Sequence, residues 1–107
     1  MYYEIRMYTP NKEKLQEYAN VFHTYPEKVF ENNGVSVMGM FEVDGTPQPA
    51  FVFMLAYRDK AHRDQVFAKL GEEPLMKEYR PKRAQLIDAA VPSANWLLKP
   101  VKHSKLG

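Results

Sequence analysis

The sequence has no cysteine, no long apolar run and no marked excess of charge of one sign. Without cysteine, the 107-residue chain forms no disulfide, thiolate nucleophile or zinc–thiolate site. The longest largely apolar stretch, residues 50–57, is far shorter than the ~20 residues that span a bilayer. Charged residues appear at once at the N-terminus with no apolar segment, unlike a secretory signal. We therefore expect a soluble, cytoplasmic protein with no membrane span.

The charge balance argues against a nucleic-acid partner. Fifteen Lys and Arg oppose thirteen Asp and Glu, a formal net charge of +2, and the two signs are interspersed. Nucleic-acid binders normally concentrate basic residues on one face. The length and the ordinary apolar content predict one globular domain over residues 1–107.

Side chains alternate in polarity over residues 2–9, which is typical of a half-buried strand. The apolar face of this predicted strand consists of Tyr3, Ile5 and Met7. The polar face consists of Glu4, Arg6 and Tyr8.

A first helix is predicted directly after this strand. Thr9 would cap it and Pro10 would be its first residue. An apolar stripe at spacings of three and four then continues for about twenty residues. Pro26 would kink the helix, because an interior proline removes a backbone donor, and Gly34 would end it.

A hairpin and a second helix are predicted next. Extended runs at 35–43 and 50–57 flank a turn-rich linker, which favours an antiparallel hairpin. Asp59 would cap a helix that ends at Gly71 and that places Arg63 on its apolar face.

The last part of the chain completes the predicted order. A short helical piece from Pro74 to Tyr79 would stop before Pro81, and residues 93–101 form the last predicted strand. The order strand, helix, strand, strand, helix, strand is that of the ferredoxin-like βαββαβ fold, an α+β fold with a four-stranded antiparallel sheet.

The third strand predicts an oligomer. Phe51, Phe53, Leu55 and Tyr57 would lie on one face, yet the opposite face is also apolar, so both faces should be covered. The helices of this fold cover only one side. We therefore expect a homodimer in which a second copy of the sheet covers the other side.

The opening Tyr3-Glu4-Ile5-Arg6-Met7-Tyr8-Thr9, with Lys14-Leu15 opening a helix, resembles the start of NIPSNAP proteins. The step Glu73-Pro74 and the ending Asn95-Trp96-Leu97-Leu98-Lys99-Pro100 also resemble the family pattern. The resemblance extends over nearly the whole chain and rests on the ordered set of features.

The resemblance implies a dimeric α/β barrel, in which two ferredoxin-like sheets pack face to face. It implies no defined activity, because the wider superfamily includes cofactor-independent monooxygenases, isomerases and haem enzymes. Many relatives carry a histidine and a tryptophan on the third strand, where this chain has Phe53 and Leu55. That departure lowers the expectation of catalysis.

A candidate ligand site follows from the barrel arrangement. Glu4, Arg6 and Tyr8 would line the interior, with Phe53 and Tyr57 on the neighbouring strand. Arg6 would bind a carboxylate or an enolate-like oxygen. In an enzyme, Arg6 would stabilise an oxyanion and Tyr8 or Tyr57 would donate a proton. The alternative is a Glu4–Arg6 or cross-dimer ion pair that sets the register and binds no ligand, with Tyr57 as a wall residue whose hydroxyl is bonded locally.

Other kinds of site are disfavoured. His23, His62 and His103 share no metal-ligand spacing, and His62 is expected to face water, so we predict no metal and no cofactor. Methionines and phenylalanines of the hairpin would form a soft apolar pocket or simply core: Met38, Met40, Phe41, Phe51, Phe53 and Met54. The third strand has the aromatics of an RNA recognition motif but not its glycine and basic residues.

Three functions remain open at this point. The first is binding of a small, partly apolar molecule with a carbonyl or carboxylate group between sheet and helices. The second is a cofactor-independent monooxygenase or isomerase at the same place. The third is a purely structural interaction module. A connected cavity that reaches Arg6, Tyr8 and Tyr57 would favour the first two, whereas an interior filled by side chains would exclude both and favour the third.

Overall fold

The computed structural model describes residues 1–107. It contains one antiparallel sheet in the order β2-β3-β1-β4 and four α-helices, so the predicted ferredoxin-like fold is confirmed. No helix is long and apolar enough to cross a membrane. The elements are β1 (Tyr2–Tyr8), α1 (Leu15–Thr24), α2 (Pro26–Asn32), β2 (Ser36–Glu42), β3 (Phe51–Tyr57), α3 (Lys60–Lys69), a 3₁₀ turn (Leu70–Glu72), α4 (Pro74–Leu86) and β4 (Ala94–Leu98).

The two faces of the sheet have different environments. On β3, the inward side chains are buried against the helices, whereas Val52 and Met54 on the other face are only partly buried. The register pairs Arg6 with Phe53 and Glu4 with Leu55, which puts the polar residues of β1 on the helix-covered face. We call this face the inner face and the opposite one the outer face.

The core between sheet and helices is mainly aromatic. Phe22 on α1 packs against Phe53 with ring centroids 4.4 Å apart. Tyr18, one turn earlier, meets Phe51 edge-on at 5.1 Å. Such tilted and edge-on pairs are the favoured geometry for aromatic rings and add to the burial of their apolar area. Aromatic rings therefore form most of the contact between β3 and α1.

The first helix differs from its prediction at both ends. Pro10 does not start α1. It forms a bridge to Ile87, and the Thr9 carbonyl accepts a hydrogen bond from the Asp88 amide at 2.8 Å. The backbone of this segment is thus tied to the end of α4, and α1 begins only at Leu15. At the other end, Pro26 starts a separate helix instead of kinking one, because its ring fits the first helical position.

The last helix also runs further than predicted. Pro81 lies inside α4, which continues to Leu86. Tyr79 and Leu86, seven residues apart and on either side of the proline, are both buried in the core. Burying these side chains offsets the roughly 3 kcal/mol that an interior proline costs a helix.

His62 fastens three elements together near the start of α3. Asp59 caps α3 as predicted, accepting a hydrogen bond from the His62 amide at 2.8 Å. The His62 ring accepts from the Arg58 amide at Nδ1 and donates from Nε2 to the Asn33 carbonyl at 2.8 Å. The side chain is only 4% exposed. The expectation that His62 faces water was wrong, because two backbone groups need its ring as a partner.

We predict that His62→Ala lowers the free energy of unfolding by about 2 kcal/mol, because it leaves a partly buried amide and a partly buried carbonyl unpaired and opens a void. Chemical denaturation measures the loss. The matched control is His23→Ala, since His23 is 62% exposed and only pairs with Glu27 on the surface. Equal midpoints for the two variants would contradict the fastening role of His62.

Candidate functional site

A cavity of about 100 Å³ lies between the inner face of the sheet and the helices. It is partly open to solvent, and its walls are largely apolar. Six of the lining side chains are aromatic: Tyr8, Phe22, Phe30, Phe53, Phe67 and Tyr79. We call it the sheet–helix cavity. A concave, mostly apolar space with few polar groups is the usual form of a small-molecule site.

Arg6 supplies the only formal charge in the walls of this cavity. Its Nε donates to the Tyr8 hydroxyl at 3.2 Å, and its Nη1 donates to Glu4 at 2.8 Å. The guanidinium carbon lies 5.2 Å from the centre of the Phe67 ring. The Nη2 nitrogen donates to no protein group. Arg6 is thus held in place by two bonds and a ring contact while part of its fork stays free.

A buried carboxylate stands beside the cavity. Glu4 is fully buried and accepts hydrogen bonds from Arg63 at 3.2 and 3.3 Å, from Tyr57 at 2.8 Å and from Asn95 at 2.9 Å, besides the bond from Arg6. The donors come from β1, β3, β4 and α3. We call these five residues the Glu4 cluster. It holds one negative and two positive charges, and Arg63 also pairs with Asp64 outside the cluster at 3.5 Å.

The ionisation of the Glu4 cluster follows from these contacts. Burial by itself raises the pKa of Glu4, but hydrogen bonds from Arg63, Tyr57 and Asn95 and the charge of Arg6 outweigh it and hold the pKa below its usual value. For Arg6, burial lowers the pKa, but Tyr8 and Glu4 together raise it above the usual value. Both groups are therefore charged across the ordinary pH range.

The Tyr57 hydroxyl is less available to a ligand than the sequence suggested. Its hydroxyl donates to Glu4 and its side chain is fully buried outside the cavity walls. Burial raises the pKa of Tyr57, and the hydrogen bond and charge of Glu4 raise it further. Its proton is thus held by a carboxylate and does not point to the space where a ligand would lie.

Two tyrosines from different helices form a hydrogen-bonded pair at the helix side of the cavity. The hydroxyls of Tyr18 on α1 and Tyr79 on α4 are 2.6 Å apart, and both side chains are at least 95% buried. Burial raises the pKa of Tyr79 to about 12 and that of Tyr18 further. Both hydroxyls are therefore protonated near neutral pH.

The structure brings three of the five predicted ligand residues to the cavity. Arg6, Tyr8 and Phe53 line it, whereas Glu4 and Tyr57 lie beside it. Their assignment to a ligand stays a prediction.

Sequence reasoning missed Phe67, Tyr79 and Arg63. An arginine on the apolar stripe of α3 was the available signal for Arg63. Tyr79 had none, because the predicted helix ended at that residue.

The structure has no cluster of histidine and acidic side chains that could bind a metal ion. Nowhere in the chain do three His, Asp or Glu side chains converge. The hairpin residues Met38, Met40 and Phe41 are exposed, whereas Phe51 and Phe53 belong to the core. Met40, Phe41 and Phe51 line an open groove beside α1.

A family model described as NIPSNAP matches residues 3–105. A NIPSNAP family protein from Agrobacterium tumefaciens is 24% identical with a TM-score of 0.83, over 99% of this chain and 98% of that one. An uncharacterised NIPSNAP-like domain protein from Burkholderia xenovorans is 26% identical with a TM-score of 0.79, over 96% and 87%. No curated protein sequence matches this chain.

A more distant structure has the same fold. A candidate antibiotic biosynthesis monooxygenase from Nitrosomonas europaea is 16% identical, with a TM-score of 0.68 over 94% of this chain and 99% of that one. At this identity the likeness shows the fold alone.

We predict that Glu4→Gln lowers the free energy of unfolding by about 2–4 kcal/mol at pH 7, because two arginines lose their carboxylate. A carboxylate with a depressed pKa stabilises the fold above its unfolded value of about 4.3, and this stability is lost as the pH falls through the lower folded value. The difference between wild type and variant should therefore shrink below about pH 4.

Urea denaturation at pH 7, 5 and 3 measures this effect. Glu31→Gln is the matched control, because Glu31 is exposed and its side chain makes no hydrogen bond. A stability difference for Glu4→Gln that stays constant with pH would contradict the assignment of a depressed pKa.

Proposed function

This chain belongs to the NIPSNAP family, and we propose that it is a homodimer that binds a small, partly apolar molecule bearing a carbonyl or carboxylate group in the sheet–helix cavity. The observation that carries the proposal is Arg6, a fixed guanidinium with free N–H groups in the wall of an aromatic cavity. Such a group binds oxygen acceptors most strongly. The apolar remainder of the ligand would lie against the aromatic walls.

The size of the cavity limits the ligand. Its volume of about 100 Å³ is smaller than the roughly 150 Å³ of an engineered apolar cavity that accepts benzene. A single ring or a short branched chain is therefore the largest group that the closed part accepts, with the polar group towards Arg6 and the open side. The existence of this space supports a ligand over an interior packed solid for protein interaction alone.

An enzymatic version uses the same residues. Arg6 would stabilise a developing oxyanion, and Tyr8, bonded to Arg6, would transfer a proton. The shared fold with a candidate monooxygenase supports this second possibility, in which the chemistry is a cofactor-independent oxidation or isomerisation. Tyr57 is a weaker proton donor than Tyr8 for such a step, because Glu4 holds its hydroxyl.

The dimer proposal rests on the outer face of the sheet. The residues on this face carry no charge, although 26% of the chain is charged. Trp96 and Phe41 on the edge strands are 51% and 56% exposed. An uncharged, apolar face across all four strands suits an identical face related by a two-fold axis. Its members are Tyr3, Ile5, Met7, Ser36, Gly39, Phe41, Val52, Met54, Ala56, Ala94, Trp96 and Leu98. Tyr3 and Ala56 are already buried within one chain, and the Tyr3 hydroxyl donates to the Leu106 carbonyl of the C-terminal tail, so a partner would cover the remaining part of this face.

Ligand binding is tested by titrating benzoate and benzamide into isotopically labelled protein and following amide NMR shifts. We expect both ligands to shift the amide signals of residues around the cavity. Arg6→Gln should weaken benzoate binding by about tenfold or more, because a charge-assisted hydrogen bond is lost.

Arg58→Gln is the control for this experiment, since Arg58 is exposed and its side chain makes no hydrogen bond. Absence of any shift near the cavity at millimolar ligand would refute the binding proposal.

Dimerisation is tested by light scattering after size exclusion. We expect the wild type to have twice the 12.5 kDa mass of the chain. Trp96→Lys should shift the mass towards one chain, because it buries a charge at the interface. Leu97→Lys is the matched control, since the neighbouring residue is 42% exposed but lies on the inner face. A wild-type mass of one chain at micromolar concentration would refute the dimer.

A further inference from the structure

The paired hydroxyls of Tyr18 and Tyr79 have more protons than protein acceptors. Each hydroxyl carries one proton and both groups are protonated near neutral pH, yet only one hydrogen bond, at 2.6 Å, joins them. The other polar side chain that interacts with Tyr79 is Arg83, whose guanidinium only donates and therefore accepts neither proton. One of the two O–H groups is therefore a buried donor without an acceptor in the protein, which costs free energy unless something else accepts the proton.

The surroundings decide which proton is free. Tyr18 is fully buried among aromatic rings and does not line the cavity, whereas Tyr79 does. If Tyr79 donated to Tyr18, the spare proton would lie in the aromatic core, where no oxygen or water can accept it. The favoured arrangement has Tyr18 donating to Tyr79 and Tyr79 directing its own O–H into the sheet–helix cavity.

The other polar groups of the cavity are donors as well. The Tyr8 hydroxyl accepts from Arg6 and has no protein acceptor for its own proton, and the Nη2 of Arg6 is free. No carboxylate, amide or imidazole side chain lines the cavity. A ligand therefore meets three donors and no side-chain carboxylate or carbonyl. A molecule that brings N–H donors of its own would leave them unpaired.

The charged groups around the cavity also favour a ligand that accepts hydrogen bonds, and in particular an anion. Arg6 pairs with Glu4, whereas Arg63 pairs with both Glu4 and Asp64. The guanidinium of Arg83 lies 4.9 Å from the centre of the Tyr8 ring. In a partly buried site, the guanidinium groups of Arg6 and Arg83 attract an anion and repel a cation.

We propose that Tyr79 is a ligand-binding residue, positioned by Tyr18, and that the donor set of Arg6, Tyr8 and Tyr79 selects a small organic carboxylate over a neutral amide or an amine. This inference rests on the proposed ligand-binding function and narrows it to an anion. It also adds a hydrogen-bond donor from α4 to the two donors, Arg6 and Tyr8, that β1 supplies.

The test compares benzoate, benzamide, benzylamine and toluene by NMR titration of the whole protein. We expect wild type to bind benzoate about tenfold more tightly than benzamide and to bind benzylamine least. Tyr79→Phe should weaken benzoate binding about tenfold, since a hydrogen bond to a charged group is lost. Toluene binding should change less than twofold, because the phenyl ring still fills the wall.

Tyr18→Phe is the second variant, and it tests the inference independently if Tyr79→Phe does not fold. It keeps the Tyr79 hydroxyl but removes its positioning partner, so benzoate binding should weaken by two- to threefold with toluene unchanged. Loss of benzoate and toluene binding in equal proportion would show a merely structural role and overturn the inference, as would benzylamine binding as tightly as benzoate.

A different result would refute the ligand-binding proposal itself. If the wild type binds none of the four probes, both the ligand-binding proposal and the inference about Tyr79 are refuted. If wild type binds benzoate and Tyr79→Phe leaves its affinity unchanged, ligand binding stands and the role of Tyr79 is refuted.

Discussion

The burial of the Glu4 carboxylate is the constraint on which the arrangement of the inner face depends. A lone charge cannot be removed from water at this depth without several donors around it. These donors come from Tyr57 on β3, Asn95 on β4, Arg63 on α3 and Arg6 on β1 itself. One side chain thus joins three strands and a helix. The same bonds fix Arg6 at the cavity, so the structural cluster and the candidate ligand site share a residue.

The sheet separates two kinds of surface. Its inner face combines the Glu4 cluster with aromatic rings, and the helices do not fill all the space above it. Its outer face has no charged side chain and carries exposed Trp96 and Phe41. Because side chains alternate along each strand, a single strand such as β1 serves both surfaces. The proposed dimer would cover one face while leaving the cavity on the other accessible from the helix side.

Local sequence patterns predicted much of the fold but not every boundary. The alternation in β1 and β3, the cap at Asp59 and the stop at Gly34 all involve near neighbours in the chain, and these were confirmed. Pro10 and Pro81 misled the prediction, because local rules treat proline as a helix starter or breaker. In the structure, the bridge of Pro10 to Ile87 and the buried positions on both sides of Pro81 decide otherwise.

By itself the sequence determined the ferredoxin-like order of elements and the family resemblance. It also determined that Glu4, Arg6 and Tyr8 share one face of β1, because periodicity and ordered motifs are local properties. Only the tertiary structure decided that this is the helix-covered face of the sheet, that Tyr57 bonds to Glu4, and that Tyr79 meets Tyr18 across 61 positions of the chain. The physical reason is that hydrogen bonds and cavities form between elements, where helix packing brings distant residues together. No spacing along the chain records which hydroxyl proton is left without an acceptor.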